Sequence, residues 1–434
     1  MTIIVFLIDT SASMQQRTYL GTSVLDAARS AVDIFLKYRS RDPARQMDRY
    51  MCLTFEDPPR NIKAGWKETQ AEFQQELKNL KARGVTSLGP ALGNALHYLN
   101  VNRLQSGMDN YGQGRYPYCL EPAVIVCITD GNSLTNANGV EAELKVPVIP
   151  IAGSELTAEP FRWDQRIFSL VLRLPGAKNP GGGKSQLGMV PSDLSKIDAM
   201  CEVTGGRSYC VCSEEVLKQS CESIVQKSQP GTVIHFEKYG ADPLPFSTIV
   251  EEDANCNKAL ENGYKKDSIK MESINSDGSI KEVVEDKLGV KNGGEPPLWH
   301  NTRKMVFLPN RPLGGRYQGH WPIPESYWPD LTKSALPQRN AHPTVKFKCD
   351  PQEPIFFKEL PFDKYELEPS PLTQYILERK QNNVCWQVFV ANSGKYEVLG
   401  YPFGYLKAST NLTSVNLVVL PYNYTMLMPL LSKI

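Results

Sequence analysis

Ile3-Ile4-Val5-Phe6-Leu7-Ile8, running straight into Asp9-Thr10-Ser11-Ala12-Ser13, is the stretch from which the fold is read. An apolar run this short, with an acid directly after it, reads as a strand buried on both faces, as in parallel sheets covered by helices. It falls far below the ~20 residues needed to cross a bilayer, and no other run approaches that length. It also lacks the basic flank and small-residue cleavage site of a secretory leader, so it is expected to belong to the fold itself.

Outward from this strand, strand and helix patterns alternate to about residue 228. Ser23 and Asp26 form the pattern of a capping box, ahead of Val24, Leu25, Ala28, Val32, Phe35 and Leu36 at helical spacing. Tyr50–Phe55 reads as a second strand. Phe73, Leu77 and Leu80 mark one helix, and Leu88, Ala91, Leu92, Ala95, Leu96 and Leu99 another. Ala123–Thr129 and Ile167–Leu174 read as further buried strands; Ser208–Cys212 is a short one, with a helix after it from Ser213 to about Ser228. Apolar strands interleaved with amphipathic helices predict a doubly wound, Rossmann-like α/β domain over residues 1–230.

The rhythm changes after Pro230. Short β-rich runs appear at Thr232–Phe236, Met305–Leu308, Val345–Cys349, Val388–Ala391 and Val415–Leu420, with prolines and aromatics crowded between them. Residues 231–434 are therefore expected to form an all-β barrel or sandwich, interrupted by one helix from Pro371 to Lys380. Residues 251–298 are polar and poor in aromatics, and read as a mobile insert. The short link at Gln226–Gly231 suggests that the two domains move as one body.

Composition agrees with two or three domains in 434 residues, at roughly 150 residues per domain. With 41% hydrophobic and 22% charged residues, the chain resembles a soluble globular protein. The balance of 48 basic against 47 acidic residues, a net charge of +1, argues against a protein held to DNA by long-range charge. Its ten cysteines are scattered, and Cys210-Val211-Cys212 has neither zinc nor thioredoxin spacing, so these thiols are expected in a core. Such usage points to the cytosol or nucleus.

The chemistry lies in the loop after the first strand. Asp9, Ser11 and Ser13 sit on alternate positions of an extended turn, so a carboxylate and two hydroxyls project to one side. Gly84-Val85-Thr86-Ser87 and Thr129-Asp130-Gly131 fall where other strands end or helices begin. Ligands of doubly wound sheets bind at those carboxyl ends. All the donors are hard oxygens, which suit Mg²⁺ with some of its waters retained. Asp9, Ser11, Ser13, Thr86 and Asp130 are therefore the expected metal-site residues, with an open position that an acidic side chain of a partner could fill. The same loop carries Met14, Arg17, Tyr19 and Leu20, large side chains expected to contact a partner protein.

The three site segments resemble the metal-ion-dependent adhesion site of von Willebrand factor A domains. Longer stretches are similar to one family, Integrator complex subunit 6. These include Arg17–Gly21, Ala64–Glu68, Asp109–Arg115, Glu159–Arg166 and Cys201–Tyr209 in the first domain. Gly319–Asp330, Leu360–Lys380 and Pro402–Thr410 extend the likeness into the second. The resemblance implies a nuclear, non-catalytic scaffold subunit of the Integrator complex. That assembly cleaves nascent RNA, attenuates RNA polymerase II transcription and processes small nuclear RNA ends. Other Integrator subunits and protein phosphatase 2A are the partners it implies.

Other signals are weaker. Gly181-Gly182-Gly183-Lys184-Ser185 lacks the first glycine of a phosphate-binding loop, since Lys178 stands there. The five histidines are dispersed, and no nucleophile has a base evident in the sequence, so the chain is not expected to be an enzyme. Lys37, Arg39, Arg41, Arg45 and Arg49 form a basic cluster. With a von Willebrand A domain before a β-barrel, an architecture similar to the Ku DNA-end-binding subunits, that cluster keeps a nucleic-acid-binding module as the alternative function. No membrane contact is expected.

Overall fold

All six side chains of the first strand, β1 (Ile3–Ile8), are buried in the computed structural model of the chain. The structure describes residues 2–18, 21–42, 48–106, 122–131, 135–136, 139–140, 161–174, 193, 195–229, 231–240, 301–307, 340–352, 363–379, 384–391, 399–400 and 402–420. The expected insert at 251–298 and the glycine-rich segment at 181–185 lie outside these residues.

The amino-terminal domain contains strands β1, β2 (Arg49–Thr54), β3 (Ile62–Ala64), β4 (Ala123–Thr129), β5 (Thr135–Asn136), β6 (Gly139–Val140), β7 (Gln165–Leu172) and β8 (Arg207–Val211). Its helices are α1 (Val24–Arg39), α2 (Gln70–Asn79), α3 (Leu88–Ser106), α4 (Lys196–Val203) and α5 (Glu214–Lys227). Six strands form one sheet in the order β3-β2-β1-β4-β7-β8, while β5 and β6 make a separate ribbon. Pairing in the main sheet is parallel except at β3, a short edge strand antiparallel to β2.

Alternation along β1 explains the layering. Ile4, Phe6 and Ile8 pack into a core with α1, α2 and α5, whereas Ile3, Val5 and Leu7 pack into the opposite core with α3 and α4. Phe6 meets Phe35 edge-on, with ring centroids 5.3 Å apart. Burying side chains of this size contributes about 1.5–3 kcal/mol each. The expected capping box opens α1, since Ser23 and Asp26 each satisfy the other's backbone N–H. Thr69 and Glu72 do the same for α2. Two elements carry too little pattern to be read in advance: β3 has three residues, and α4 buries only Ile197 and Cys201.

The second domain is a barrel rather than a sandwich. Its elements are β9 (Gly231–Tyr239), β10 (Asn301–Phe307), β11 (Thr344–Lys348), β12 (Asp363–Leu367), α6 (Pro371–Glu378), β13 (Trp386–Val390), β14 (Pro402–Ala408) and β15 (Val415–Val419). Seven strands close in the order β10-β12-β15-β14-β13-β11-β9, with β9 completing the ring against β10. Phe236, Phe347, Trp386 and Leu406 fill the interior, and α6 adds Leu372 and Ile376 to the same core. Closure removes the exposed strand edges that an open sheet would present.

The domains are in contact. Val233 N–H donates to the Trp163 carbonyl at 2.9 Å, and Ala341 enters the core beneath α3. Phe161 and His342 bring their rings to 5.4 Å. Among the described residues, no helix is long and apolar enough to cross a membrane.

Candidate metal site and docking face

Parallel pairing of β1 with β4 aligns Ile8 with Ile128, so Asp9 and Asp130 emerge at the same end of adjacent strands. This is where the strand order reverses, with β2 on one side of β1 and β4 on the other. Asp9 N–H extends the ladder by donating to the Ile128 carbonyl at 2.8 Å. The chain then turns back on itself. Ser11 N–H donates to Asp9 Oδ1 at 2.8 Å, and the Ser11 and Ser13 hydroxyls lie 2.9 Å apart. A single 3₁₀ turn, Ala12–Gln15, follows.

A second segment is tied to this loop through its backbone. Arg83 N–H donates to the Thr10 carbonyl at 2.5 Å, and Ala12 N–H to the Gly84 carbonyl at 3.1 Å. These bonds place Thr86 beside the loop, at the start of α3. Ser87 steadies the segment by donating its hydroxyl to the Phe55 carbonyl at 3.0 Å. The five expected oxygen donors thus share one end of the sheet, and all but the half-buried Ser13 are buried.

Burial dominates the electrostatics. Asp9 has no solvent exposure, and loss of hydration pushes its pKa up to about 6. Hydrogen bonds from Thr129 and Ser11 oppose that rise, while the charge of Asp130 adds to it. A buried carboxylate beside a second carboxylate and three hydroxyls suits a small hard cation, whose charge would offset the lost hydration. Among the described residues there is no group of three or more His, Cys, Asp or Glu side chains that could hold a metal. Any ion here would therefore need hydroxyl and water oxygens beside the carboxylates of Asp9 and Asp130.

Two contributing residues escaped the sequence reading. Thr129 donates its hydroxyl to Asp9 Oδ2 at 2.6 Å and accepts from Gly131 N–H at 3.0 Å, joining the loops after β1 and β4. Its place directly before Asp130 was the available signal. Arg173, just past β7, donates from Nη1 to the Asp130 carbonyl at 3.0 Å. That contact spans 43 residues and had no local signal.

The expected partner contacts divide. Met14 is fully buried in the core with α1, so it supports the loop from beneath and offers no surface. That corrects the expectation, and the reason is that the 3₁₀ turn points its side chain inward. Arg17 is exposed and bridges to Ser23, while Tyr19 and Leu20 lie outside the described residues. The basic cluster also changes character. Arg39 is 1% exposed, pairs with Asp48 at 2.7 Å and donates to the Ser228 carbonyl at 2.9 Å, capping α5. It holds two helices together and is no part of a surface patch.

Residues 4–132 match the von Willebrand factor type A domain, and residues 291–434 match the INTS6 beta-barrel domain. An Integrator complex subunit 6-like protein of Homo sapiens is 54% identical over 435 residues, covering 100% of this chain and 46% of the relative. This chain is a homologue of Integrator complex subunit 6. Integrator complex subunit 6 of Danio rerio is likewise 54% identical, with 100% of this chain and 45% of the relative covered. In Drosophila melanogaster the subunit of that name is 46% identical over 99% of this chain and 32% of its own length. The chain spans about half the length, or less, of the curated relatives it matches. Homology to Integrator complex subunit 6 covers both domains.

Proposed function

We propose that this chain acts as a non-catalytic scaffold subunit of a nuclear Integrator complex, holding other Integrator subunits and protein phosphatase 2A during transcription attenuation and small nuclear RNA processing. The observation that carries this reading is 54% identity to an Integrator subunit across both domains, with no stretch of the chain left outside the match. The oxygen-lined loops at the carboxyl end of the sheet form the docking face, with Mg²⁺ bound by Asp9, Ser11, Ser13, Thr86 and Asp130. An acidic side chain of a partner completes the coordination.

The deciding experiment is affinity purification of the tagged chain from nuclear extract, followed by mass spectrometry. Integrator subunits should co-purify with the wild type. The phosphatase should be recovered with them, and less of it with Asp9→Ala. Recovery of no Integrator subunit would overturn the proposal. A purified chain that hydrolyses phosphodiester, nucleotide or peptide substrates with Mg²⁺, and stops when Asp130 is replaced by Ala, would overturn the non-catalytic part.

A further inference from the structure

Next to the candidate metal site, and sharing its first loop, runs an open groove of about 420 Å³. One wall comes from Gln15, Arg17 and Gly21, and the other from Lys81 and Arg83. Leu25, Leu80 and Ala82, each largely buried, form an apolar floor, with Met14 packed beneath it. The walls are fixed in place by backbone contacts. Gln15 Nε2 donates to the Ala82 carbonyl at 2.8 Å, and Arg29 Nε donates to the Leu77 carbonyl at 3.1 Å from behind.

The charge of the groove is one-sided. Arg17, Lys81 and Arg83 are exposed, and among the described residues none of them pairs with a carboxylate. The single acid of the lining, Asp26, is already engaged by Arg29 at 2.6 Å and by the Ser23 hydroxyl at 2.6 Å. Three unpaired cations therefore face one cleft in a protein whose net charge is only +1. Lys81 and Arg83 also border a neighbouring cleft of about 300 Å³, whose far side carries Glu56 and Glu76. On the side next to the metal loop the described lining has one acid, Asp26, and that acid is already engaged.

We propose that this groove binds an extended acidic segment of a partner protein, with carboxylates on Arg17, Lys81 and Arg83. The size of the cleft fits a few peptide residues. Among the described residues no aromatic side chain lines it, so those residues offer no stacking platform of the kind that single-stranded nucleic acids use. The inference rests on reading this end of the sheet as a docking face, but it needs no metal, because the contacts are made by cations of the chain itself.

The test is fluorescence polarisation with a labelled short peptide of alternating glutamate and leucine, against the full chain in EDTA and again in Mg²⁺. Binding is expected in both, weakening as salt rises. Lys81→Glu combined with Arg83→Glu should weaken it by at least about tenfold, and Arg17→Glu should also weaken it. All three side chains are exposed, and a melting temperature for each variant separates lost binding from lost folding. Lys37→Glu, an exposed cation at the far end of α1, should change nothing. No binding by the wild type would overturn the proposal, as would binding unchanged by charge reversal at Lys81 and Arg83, or equally weakened by Lys37→Glu. Tighter binding of a short single-stranded RNA than of the peptide would make the groove a nucleic-acid site instead. Binding that vanishes in EDTA would assign the acid to the metal loop. Co-purification of Integrator subunits is read separately, so either proposal can fail without the other.

Discussion

Arg166 on β7 and Glu368, one residue past β12, form a forked ion pair across the domain boundary, with Nη2 3.0 Å from both carboxylate oxygens. Both residues are buried, at 2% and 5% exposure. The rest of the guanidinium is spent on backbone carbonyls: Nε donates to Gly205 at 2.9 Å and Nη1 to Lys227 at 3.1 Å. One side chain therefore ties together β7, the turn before β8, the end of α5 and the barrel.

Removing one partner should be costly. Glu368→Ala leaves a buried guanidinium without its counter-charge and should lower stability by about 3–5 kcal/mol. It should also depress the Lys227 ammonium pKa further, since burial already lowers it and Glu368 opposes that shift. Replacing both partners, as Arg166→Met with Glu368→Leu, should cost less than the single change. Urea unfolding followed by tryptophan fluorescence measures this; a loss under about 0.5 kcal/mol for Glu368→Ala would show that the pair does not hold the joint.

The same joint depends on two glycines. A Cβ on Gly206 would lie 1.8 Å from the Ile167 carbonyl oxygen, so no side chain fits between that turn and β7. Gly205 has a φ of +76°, and a Cβ there would meet Val233 of the barrel at 2.9 Å. Gly206→Ala should therefore destabilise by more than about 3 kcal/mol or prevent folding, whereas Ala at an exposed helical position such as Glu215 should stay within about 0.5 kcal/mol. Equal melting temperatures for Gly206→Ala and the wild type would contradict the packing described.

A bound divalent ion would appear in thermal stability. Mn²⁺ at about a hundred times its Kd should stabilise the wild type by about 2.7 kcal/mol through linkage, raising Tm. Asp9→Asn keeps an acceptor for Ser11 N–H but removes the buried charge, so its Tm should not respond to Mn²⁺. Ser13→Ala should respond partly, because the residue is half-buried at the rim and contributes only a hydroxyl. A rise in Asp9→Asn as large as in the wild type would exclude Asp9 as a ligand.

Asp198 supplies a pH dependence with a defined sign. Burial pushes its pKa up from the ordinary 3.8 to about 6, with Glu202 and Asp193 adding repulsion and the Ser208 N–H bond, at 3.0 Å, opposing it. A raised carboxylate pKa means that the folded state holds its proton more tightly than the unfolded chain. Its contribution to stability is complete below about 3.8 and is lost as pH rises through about 6. Asp198→Asn cannot titrate, so its stability relative to the wild type should increase from pH 4 to about 6 and then level off. Urea titrations across that range measure the difference; a difference that shrinks with rising pH would reverse the assignment.

The local features of this chain were legible without coordinates. The six apolar residues of β1, the capping box at Ser23 and Asp26, and the carboxylate and hydroxyls at Asp9, Ser11 and Ser13 each depend on neighbours within a few positions. Burial on both faces, cap geometry and the alternation of an extended turn are properties of short segments, so the α/β class and the core of the candidate site follow from them. Tertiary structure alone decided what depends on distant pairings. It turned Met14 inward and made Arg39 a cap for a helix 189 residues away. It set the Thr129 hydroxyl on Asp9 across 120 residues, and joined Arg166 to Glu368 across 202. It also closed seven strands into a barrel rather than leaving two sheets. A side chain's type states what it can bind, but which partner it meets, and whether water reaches it, is settled only when the packed core brings remote segments together.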